Sequence, residues 1–243
     1  MRSVGLYSCP RASDSTPQIC YHARQFSGAK TLATRIKICG ITSVQDALMV
    51  ASEGADAIGL VFYEPSPRAV SIARAKQIRE AISPMVTLVA LVVDASAETV
   101  RQIIGEVQPD IIQYHGNETA EFCCAIGHPY WKAVRVRNAQ DVITAINEFG
   151  TARSLLLDAW VDGVPGGTGH EIDPSAMPES LHRPWILAGG LKPENVSKAL
   201  LHYRPSAVDI SSGVESSSGV KDPLKVRAFV NAVKSFDKVK PHE

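Results

Sequence analysis

A thiol and a carboxyl group end two separate apolar runs of this 243-residue chain. Cys39 follows "RIKI" within "RIKICGI" (35–41), and Asp158 follows three leucines in "SLLLDA" (154–159). A thiol has an ordinary pKa of about 8.5, so it can exchange a proton near neutrality without a cofactor. Free cysteine is also a common packing residue, whereas a carboxylate after an apolar run must be solvated, paired or functionally perturbed. Both are candidate catalytic residues, with packing as the alternative for Cys39.

Three glycine-rich segments provide a second kind of candidate. They are "GGTG" (166–169), "AGGL" (188–191) and "SSGV" (211–214). Glycines let main-chain N–H groups approach an oxyanion without interference from a Cβ atom, which predicts a phosphate site, and three tight turns are the alternative. The candidate phosphate-binding residues are Gly166, Gly167, Thr168, Gly169, Gly189, Gly190, Ser212 and Gly213.

Arg68 and His115 are candidate substrate contacts. Arg68 lies in "EPSPRAVS" (64–71), where prolines stiffen the loop, and its guanidinium can present a planar fork to a carboxylate. His115 ends "IIQYH" (111–115), where it is either a substrate contact or a histidine satisfied by its neighbours. No other histidine ends an apolar run, so the converging ligands of a metal site are lacking and none is predicted.

Composition excludes several functional classes. Twenty-five basic residues balance 25 acidic ones, so no general attraction to nucleic acid or to an anionic membrane is expected. No apolar run approaches the roughly 18 residues of a membrane span, which predicts a soluble chain. The five cysteines form no CxxC pair, which argues against a zinc site or a disulfide framework and predicts a reducing, cytoplasmic location. The adjacent Cys123 and Cys124 are interpreted as packing residues of a helix.

Short apolar runs alternate with segments of helical period from Arg35 onward. The eight runs are 35–41, 57–62, 87–93, 111–115, 131–136, 154–159, 185–190 and 207–213. Between them, apolar residues recur at the i, i+3, i+4, i+7 spacing of one helix face, as in 100–107 and 226–233. The pattern predicts eight strands, each followed by a helix.

Capping residues and prolines predict where several helices begin. Thr42 with Gln45 can form a capping box, Ser96 can cap the third helix, and Pro193 and Pro223 suit a first helical position. The sixth helix is the weak one, because "SAMPESL" (175–181) supports only a short or broken helix.

Eight strand–helix repeats with apolar strands predict an α/β fold, a single-domain (β/α)8 TIM barrel. An open doubly wound sheet would need a GxGxxG fingerprint after its first strand, and "CGITSV" (39–44) lacks one. The barrel domain is expected to span 35–237, with a tail at 238–243. Residues 1–34 are interpreted as a disordered extension or an early start codon, with a transit peptide as the alternative.

The motifs of residues 35–237 resemble those of the phosphoribosylanthranilate isomerase family. They are "KICGIT" (37–42), "GADAIGLVF" (54–62), "SPRAVS" (66–71), "QYHG" (113–116), "LLLDA" (155–159), "GVPGGTG" (163–169), "LAGGLKPENV" (187–196) and "VDISSGVESSSGVKD" (208–222). Tyr114 stands where the family more often has leucine, and Ser212 where glycine is also common.

The resemblance implies an Amadori rearrangement in tryptophan biosynthesis, which converts N-(5-phosphoribosyl)anthranilate to 1-(2-carboxyphenylamino)-1-deoxyribulose 5-phosphate. It implies that Cys39 is the general base, that Asp158 is the general acid and that Arg68 meets the anthranilate carboxylate, while the Gly/Ser loops hold the phosphate. We expect the thiol to face the acid across the barrel, with the substrate between them. No cofactor is expected, and the protein is predicted to be a monomer or a homodimer.

Other phosphosugar barrels are the rival interpretations. Indole-glycerol-phosphate synthase would need a catalytic lysine that ends a strand, but Lys132 begins the fifth run and Lys37 lies two residues before the thiol. Thiamine-phosphate synthase and a non-catalytic phosphosugar-binding protein are further alternatives. Retention of both the thiol and the carboxyl group disfavours the binding protein.

Overall fold

Eight parallel strands close into a barrel in this computed structural model, which describes residues 33–159, 176–178, 181 and 183–239. The strands are β1 (Arg35–Cys39), β2 (Ala57–Phe62), β3 (Thr87–Val92), β4 (Ile111–Tyr114), β5 (Tyr130–Val136), β6 (Ser154–Ala159), β7 (Trp185–Leu187) and β8 (Ala207–Ile210). Pairing of β8 with β1 closes the barrel and places Asp209 opposite Lys37. The predicted (β/α)8 barrel class is confirmed.

Helices pack around the barrel and connect its strands. They are α1 (Val44–Glu53), α2 (Ile72–Ala81), α3 (Ala97–Val107), α4 (Ala120–Ile126), α5 (Ala139–Glu148), α6 (Val196–Tyr203) and α7 (Pro223–Val239). A 3-10 turn (Ser212–Val214) and an antiparallel hairpin, β9 (Glu215–Ser217) with β10 (Val220–Lys221), lie between β8 and α7. None of the helices in these ranges is long and apolar enough to cross a membrane.

Three predicted segments fall largely outside the described residues. They are the N-terminal extension, of which 1–32 are not described, the weak sixth helix between β6 and β7, and the end of the C-terminal tail at 240–243. Elsewhere the packing prediction fits for Cys123, which is fully buried within α4.

The alternation of side chains along β1 separates two environments. Ile36 and Ile38 point outward and pack in the main core with Phe229 of α7. Lys37 and Cys39 take the opposite face, which is the barrel interior, because successive strand side chains point to opposite sides. Cys39 there packs with Val61, the corresponding interior residue of β2. The interior of the barrel thus receives a charge and a thiol, and the outer core stays apolar.

Two of the predicted helix starts are confirmed and one is displaced by a residue. The Ser96 hydroxyl caps α3 by accepting from Thr99 N, and Pro223 is the first residue of α7. The capping box at Thr42 is wrong, because Ser43 is the N-cap of α1. The Thr42 hydroxyl instead donates to Gly219 O at 2.6 Å, which ties the first βα loop to the hairpin.

The predicted start of α6 at Pro193 is also wrong. This helix begins at Val196, and Pro193 lies in the turn before it. The Asn195 side chain organises that turn, since it accepts from Lys192 N at 2.7 Å and donates to Gly190 O at 2.9 Å. These local hydrogen bonds compete with helix formation until residue 196.

Candidate active site

A cavity of about 560 Å³ opens at the carboxyl ends of the barrel strands. This volume suits a small organic ligand. The predicted site residues in its lining are Cys39, Arg68, His115, Asp158, Gly189, Gly190, Ser212 and Gly213. The other predicted site residues, Gly166, Gly167, Thr168 and Gly169, lie outside the described part of the chain.

Cys39 is a buried thiol at the end of β1, with 6% of its surface exposed. It pairs in register with Gly59 of β2, and a Cβ atom at position 59 would come within 2.6 Å of Cys39 Sγ. Gly59 therefore leaves the space that the sulfur occupies. Burial raises the pKa of the Cys39 thiol, and the nearby Lys37 ammonium opposes that rise. The thiol is thus shielded from bulk water and faces a cation.

Asp158 reaches the same cavity from β6, and it too is 6% exposed. His115 Nε2 lies 3.5 Å from Asp158 Oδ2, while its Nδ1 lies 3.0 Å from Gln113 Nε2. Because an amide nitrogen can only donate, Nδ1 accepts and the proton of a neutral ring lies on Nε2, toward Asp158. Gln113 is therefore a site residue that sequence reasoning missed. Its spacing of two residues from His115 was the available signal, since that spacing places both side chains on one face.

The loops after β7 and β8 line the side of the cavity where a phosphate was predicted. Gly189 has a φ of +87°, a conformation that favours glycine, and a Cβ atom there would lie 2.8 Å from Asp158 Oδ1. Ser212 and Gly213 belong to the 3-10 turn after β8. The neighbouring Ser211 hydroxyl is buried, lines the cavity and has no hydrogen-bond partner among the described residues. It is an additional donor or acceptor for a ligand that the motif analysis did not single out.

Arg68 does not stand alone in its loop. Its Nε and Nη2 atoms donate to the two carboxylate oxygens of Glu215, each at 2.8 Å. Glu215 also accepts from Lys221 Nζ at 2.8 Å. The Nε–Nη2 edge of the guanidinium is thereby used, and its Nη1–Nη2 end can still bind a second carboxylate. Sequence reasoning missed Glu215, because 147 residues separate it from Arg68.

A buried ion pair lies beneath the thiol inside the barrel. Lys37 Nζ donates to Asp209 Oδ2 at 2.8 Å, with side-chain exposures of 2% and 9%. Asp209 lines the cavity, and its Oδ1 has no hydrogen-bond partner among the described residues. The signal for this pair was a charge within each of two apolar strands, at positions that barrel closure brings together.

Known proteins are similar to this chain over most of its length. The family described as N-(5'phosphoribosyl)anthranilate (PRA) isomerase matches residues 36–232. An N-(5'-phosphoribosyl)anthranilate isomerase of Pseudomonas aeruginosa (strain LESB58) is 52% identical over 203 residues, which cover 84% of this chain and 96% of that protein. One of Pseudomonas fluorescens (strain Pf0-1) is 50% identical over 202 residues, which cover 83% of this chain and 99% of that protein.

Solved structures give the same result. The phosphoribosyl anthranilate isomerase of Thermotoga maritima superposes with a TM-score of 0.75 at 36% identity, over 83% of this chain and 99% of that one. A phosphoribosyl anthranilate isomerase in complex with reduced 1-(o-carboxyphenylamino)-1-deoxyribulose 5-phosphate superposes with a TM-score of 0.71 at 35% identity and the same coverage. The chain belongs to the N-(5'-phosphoribosyl)anthranilate isomerase family.

Proposed function

We propose that this protein isomerises N-(5-phosphoribosyl)anthranilate to 1-(2-carboxyphenylamino)-1-deoxyribulose 5-phosphate, with Cys39 as general base and Asp158 as general acid. The observation that carries the proposal is the position of both side chains on one cavity at the carboxyl ends of β1 and β6. Residues 35–237 form the proposed catalytic unit. As sequence-based proposals, the protein acts in the cytoplasm, as a monomer or a homodimer.

The first step opens the ribose ring, and Asp158 supplies the proton for it. As the bond between C1 and the ring oxygen breaks, that oxygen takes the proton and the anthranilate nitrogen donates its electron pair to C1 to form an iminium. Asp158 is 6% exposed and lines the cavity, so its carboxyl group can meet the ring oxygen away from bulk water. The His115 Nε2–H group, 3.5 Å from Asp158 Oδ2, can hold the carboxyl group in place.

The second step removes the C2 proton, which the neighbouring iminium makes acidic. The Cys39 thiolate takes this proton, and the electron pair of the C–H bond neutralises the iminium to give an enol. Tautomerisation of the enol, in which the C2 hydroxyl loses its proton and C1 gains one, gives the aminoketose. The positive iminium lies beside the thiolate during this step, so the electrostatic attraction between them favours proton transfer.

Substrate binding is proposed to use the two ends of the cavity. The loops at Gly189, Gly190 and Ser212–Gly213 would hold the phosphate with main-chain N–H groups, aided by the Ser211 hydroxyl. The open end of the Arg68 guanidinium would bind the anthranilate carboxylate, since Glu215 fixes its other edge. This arrangement would place the sugar between the thiol and the carboxyl group.

The rival synthase chemistry receives no support from the described residues. The cavity lining contains no lysine among them. Lys132 instead donates to Glu118 at 2.8 Å and to Gly116 O at 2.7 Å. A strand-end lysine that could meet a substrate is therefore not found in the described part of the barrel.

Substitution of the two proposed catalytic residues tests the function. We expect Cys39→Ala and Asp158→Ala each to lower turnover by about 100-fold or more, since a positioned acid or base contributes on that scale. Turnover is followed by the fluorescence of the anthranilate substrate, and circular dichroism checks that each variant is folded. Near-normal turnover in a folded variant would remove the role assigned to that residue. Substrate binding without turnover by the unsubstituted protein would favour the non-catalytic alternative.

A further inference from the structure

Lys37 and Cys39 share one face of β1 inside the barrel. The two residues are separated by one position, and the same void beside Gly59 receives both side chains. A Cβ atom at position 59 would lie 2.6 Å from Cys39 Sγ and 3.1 Å from Lys37 Nζ. The ammonium group and the sulfur are therefore close neighbours in the barrel interior.

Asp209 holds the ammonium from the opposite side. Its Oδ2 accepts from Lys37 Nζ at 2.8 Å, and the two residues are paired in register on β8 and β1. Lys37 does not line the cavity, whereas Cys39 and Asp209 do. Any influence of Lys37 on bound substrate therefore passes through one of these two side chains.

The charges around the thiol are of both signs. Lys37 and Lys221 lower the pKa of Cys39 and Asp209 raises it, against a background of burial, which raises it most. Arg68, from the loop after β2, is a further cation near the thiol and lines the same cavity. On the far side of the cavity, Asp158 and His115 come from β6 and the end of β4. Among these cations, Lys37 is the nearest to Cys39 in sequence, and both residues belong to the same strand, β1.

We propose that Lys37 is a positioning residue of the reaction, whose ammonium stabilises the thiolate form of Cys39, and that Asp209 holds this ammonium in place. The inference rests on the proposed role of Cys39 as the base. It explains why a lysine that cannot reach the substrate is buried inside the barrel.

The test measures how readily Cys39 loses its proton, independently of turnover. The full-length protein is alkylated with iodoacetamide over a range of pH, and the modified Cys39 peptide is quantified by mass spectrometry. We expect Lys37→Met to move the midpoint of this profile upward by about 1 to 3 pH units, since an opposite charge at contact distance shifts a pKa on that scale. Because only the thiolate reacts, alkylation at neutral pH falls about tenfold or more.

Asp209→Asn provides a second arm with the opposite sign. Removal of this carboxylate leaves the ammonium without its counter-ion, so we expect the midpoint to move downward. Lys132→Met is the matched control, because it also removes a buried barrel lysine but one that contacts Glu118 and Gly116. Although this control is expected to be less stable, the protein that circular dichroism shows to be folded should have an unchanged midpoint.

The kinetic readout separates this role from a purely structural one. In Lys37→Met the acidic limb of the kcat/KM profile should move upward with the alkylation midpoint, while KM at alkaline pH changes little. An unchanged Cys39 midpoint in folded Lys37→Met, or an upward shift in Asp209→Asn, would overturn the inference. Failure of the proposed function is distinguishable, because it would appear as absent turnover in the unsubstituted protein whatever the alkylation profiles show.

Discussion

Among the described residues, the lysines of two barrel strands, Lys132 and Lys37, form buried pairs with carboxylates, and these pairs differ in how far their carboxylates are hydrogen-bonded. Lys132 and Glu118 lie 2.8 Å apart with side-chain exposures of 7% and 2%, and Lys37 and Asp209 lie equally close. Glu118 also accepts from Asp94 N at 2.9 Å and from Gly116 N at 3.0 Å. Both of its oxygens are therefore satisfied.

One carboxylate oxygen of Asp209 accepts no hydrogen bond from the described residues. This oxygen, Oδ1, is buried, and Asp209 lines the same cavity as Cys39. A buried pair whose polar atoms are all hydrogen-bonded stabilises the fold, here the loop that carries His115. A buried pair with an unpaired oxygen costs stability unless a ligand binds that oxygen or the pair takes part in the reaction. The difference indicates that Lys132–Glu118 serves structure and Lys37–Asp209 serves chemistry.

The largest expected effect on stability comes from breaking the structural pair. Lys132→Met leaves the Glu118 carboxylate buried without its cation, and such losses cost about 3 to 5 kcal/mol. Urea unfolding measures the free energy of unfolding for the variant and the unsubstituted protein. Lys76→Met is the control, because its partner Glu106 is 41% exposed and the pair is solvated, so we expect no measurable change. A Lys132→Met variant as stable as this control would remove the structural assignment.

A smaller effect is expected from the Arg68–Glu215 pair, which lies at the rim of the cavity. Glu215→Gln removes the charge that fixes the Arg68 guanidinium, so we expect KM to rise by about tenfold, equivalent to about 1.4 kcal/mol, with less change in kcat. Steady-state kinetics at neutral pH measure both parameters.

The matched control for Glu215→Gln is Asp141→Asn. Asp141 also binds an arginine, Arg137, but this pair lies at the start of α5, and the arginine is 57% exposed. We expect KM to stay unchanged in this variant. Equal KM values for Glu215→Gln and the unsubstituted protein would show that Arg68 binds the substrate equally well without the Glu215 carboxylate that orients its guanidinium.

The strands could be predicted from the sequence because a strand that is buried on both faces is an apolar run. The runs at 57–62 and 154–159 coincide with β2 and β6, and Cys39 and Asp158 both end strands on the cavity. The errors at Thr42 and Pro193 have a local cause, since a neighbouring side chain, Ser43 or Asn195, makes the hydrogen bonds that decide where the helix begins.

A charge within an apolar strand marks Lys37 and Asp209 as unusual, but the sequence pattern does not show that they pair with each other. Asp209 meets Lys37 only because β8 closes against β1, across 172 residues of chain. Glu215 likewise reaches Arg68 only once the hairpin after β8 folds over the rim. Spacing along the chain carries no signal for contacts of this kind, so the candidate base was predicted but its charged neighbours were not.

The central claim is that Cys39 and Asp158 act on one sugar from different sides. A crystal structure of the protein with the reduced aminoketose product, a stable analogue, tests it most directly. We expect Cys39 Sγ to lie about 3 to 3.5 Å from C2 of the sugar, as proton transfer requires, with the Asp158 carboxyl group in contact with the oxygen that leaves the ring. A complex in which either side chain points away from the bound sugar would contradict the account.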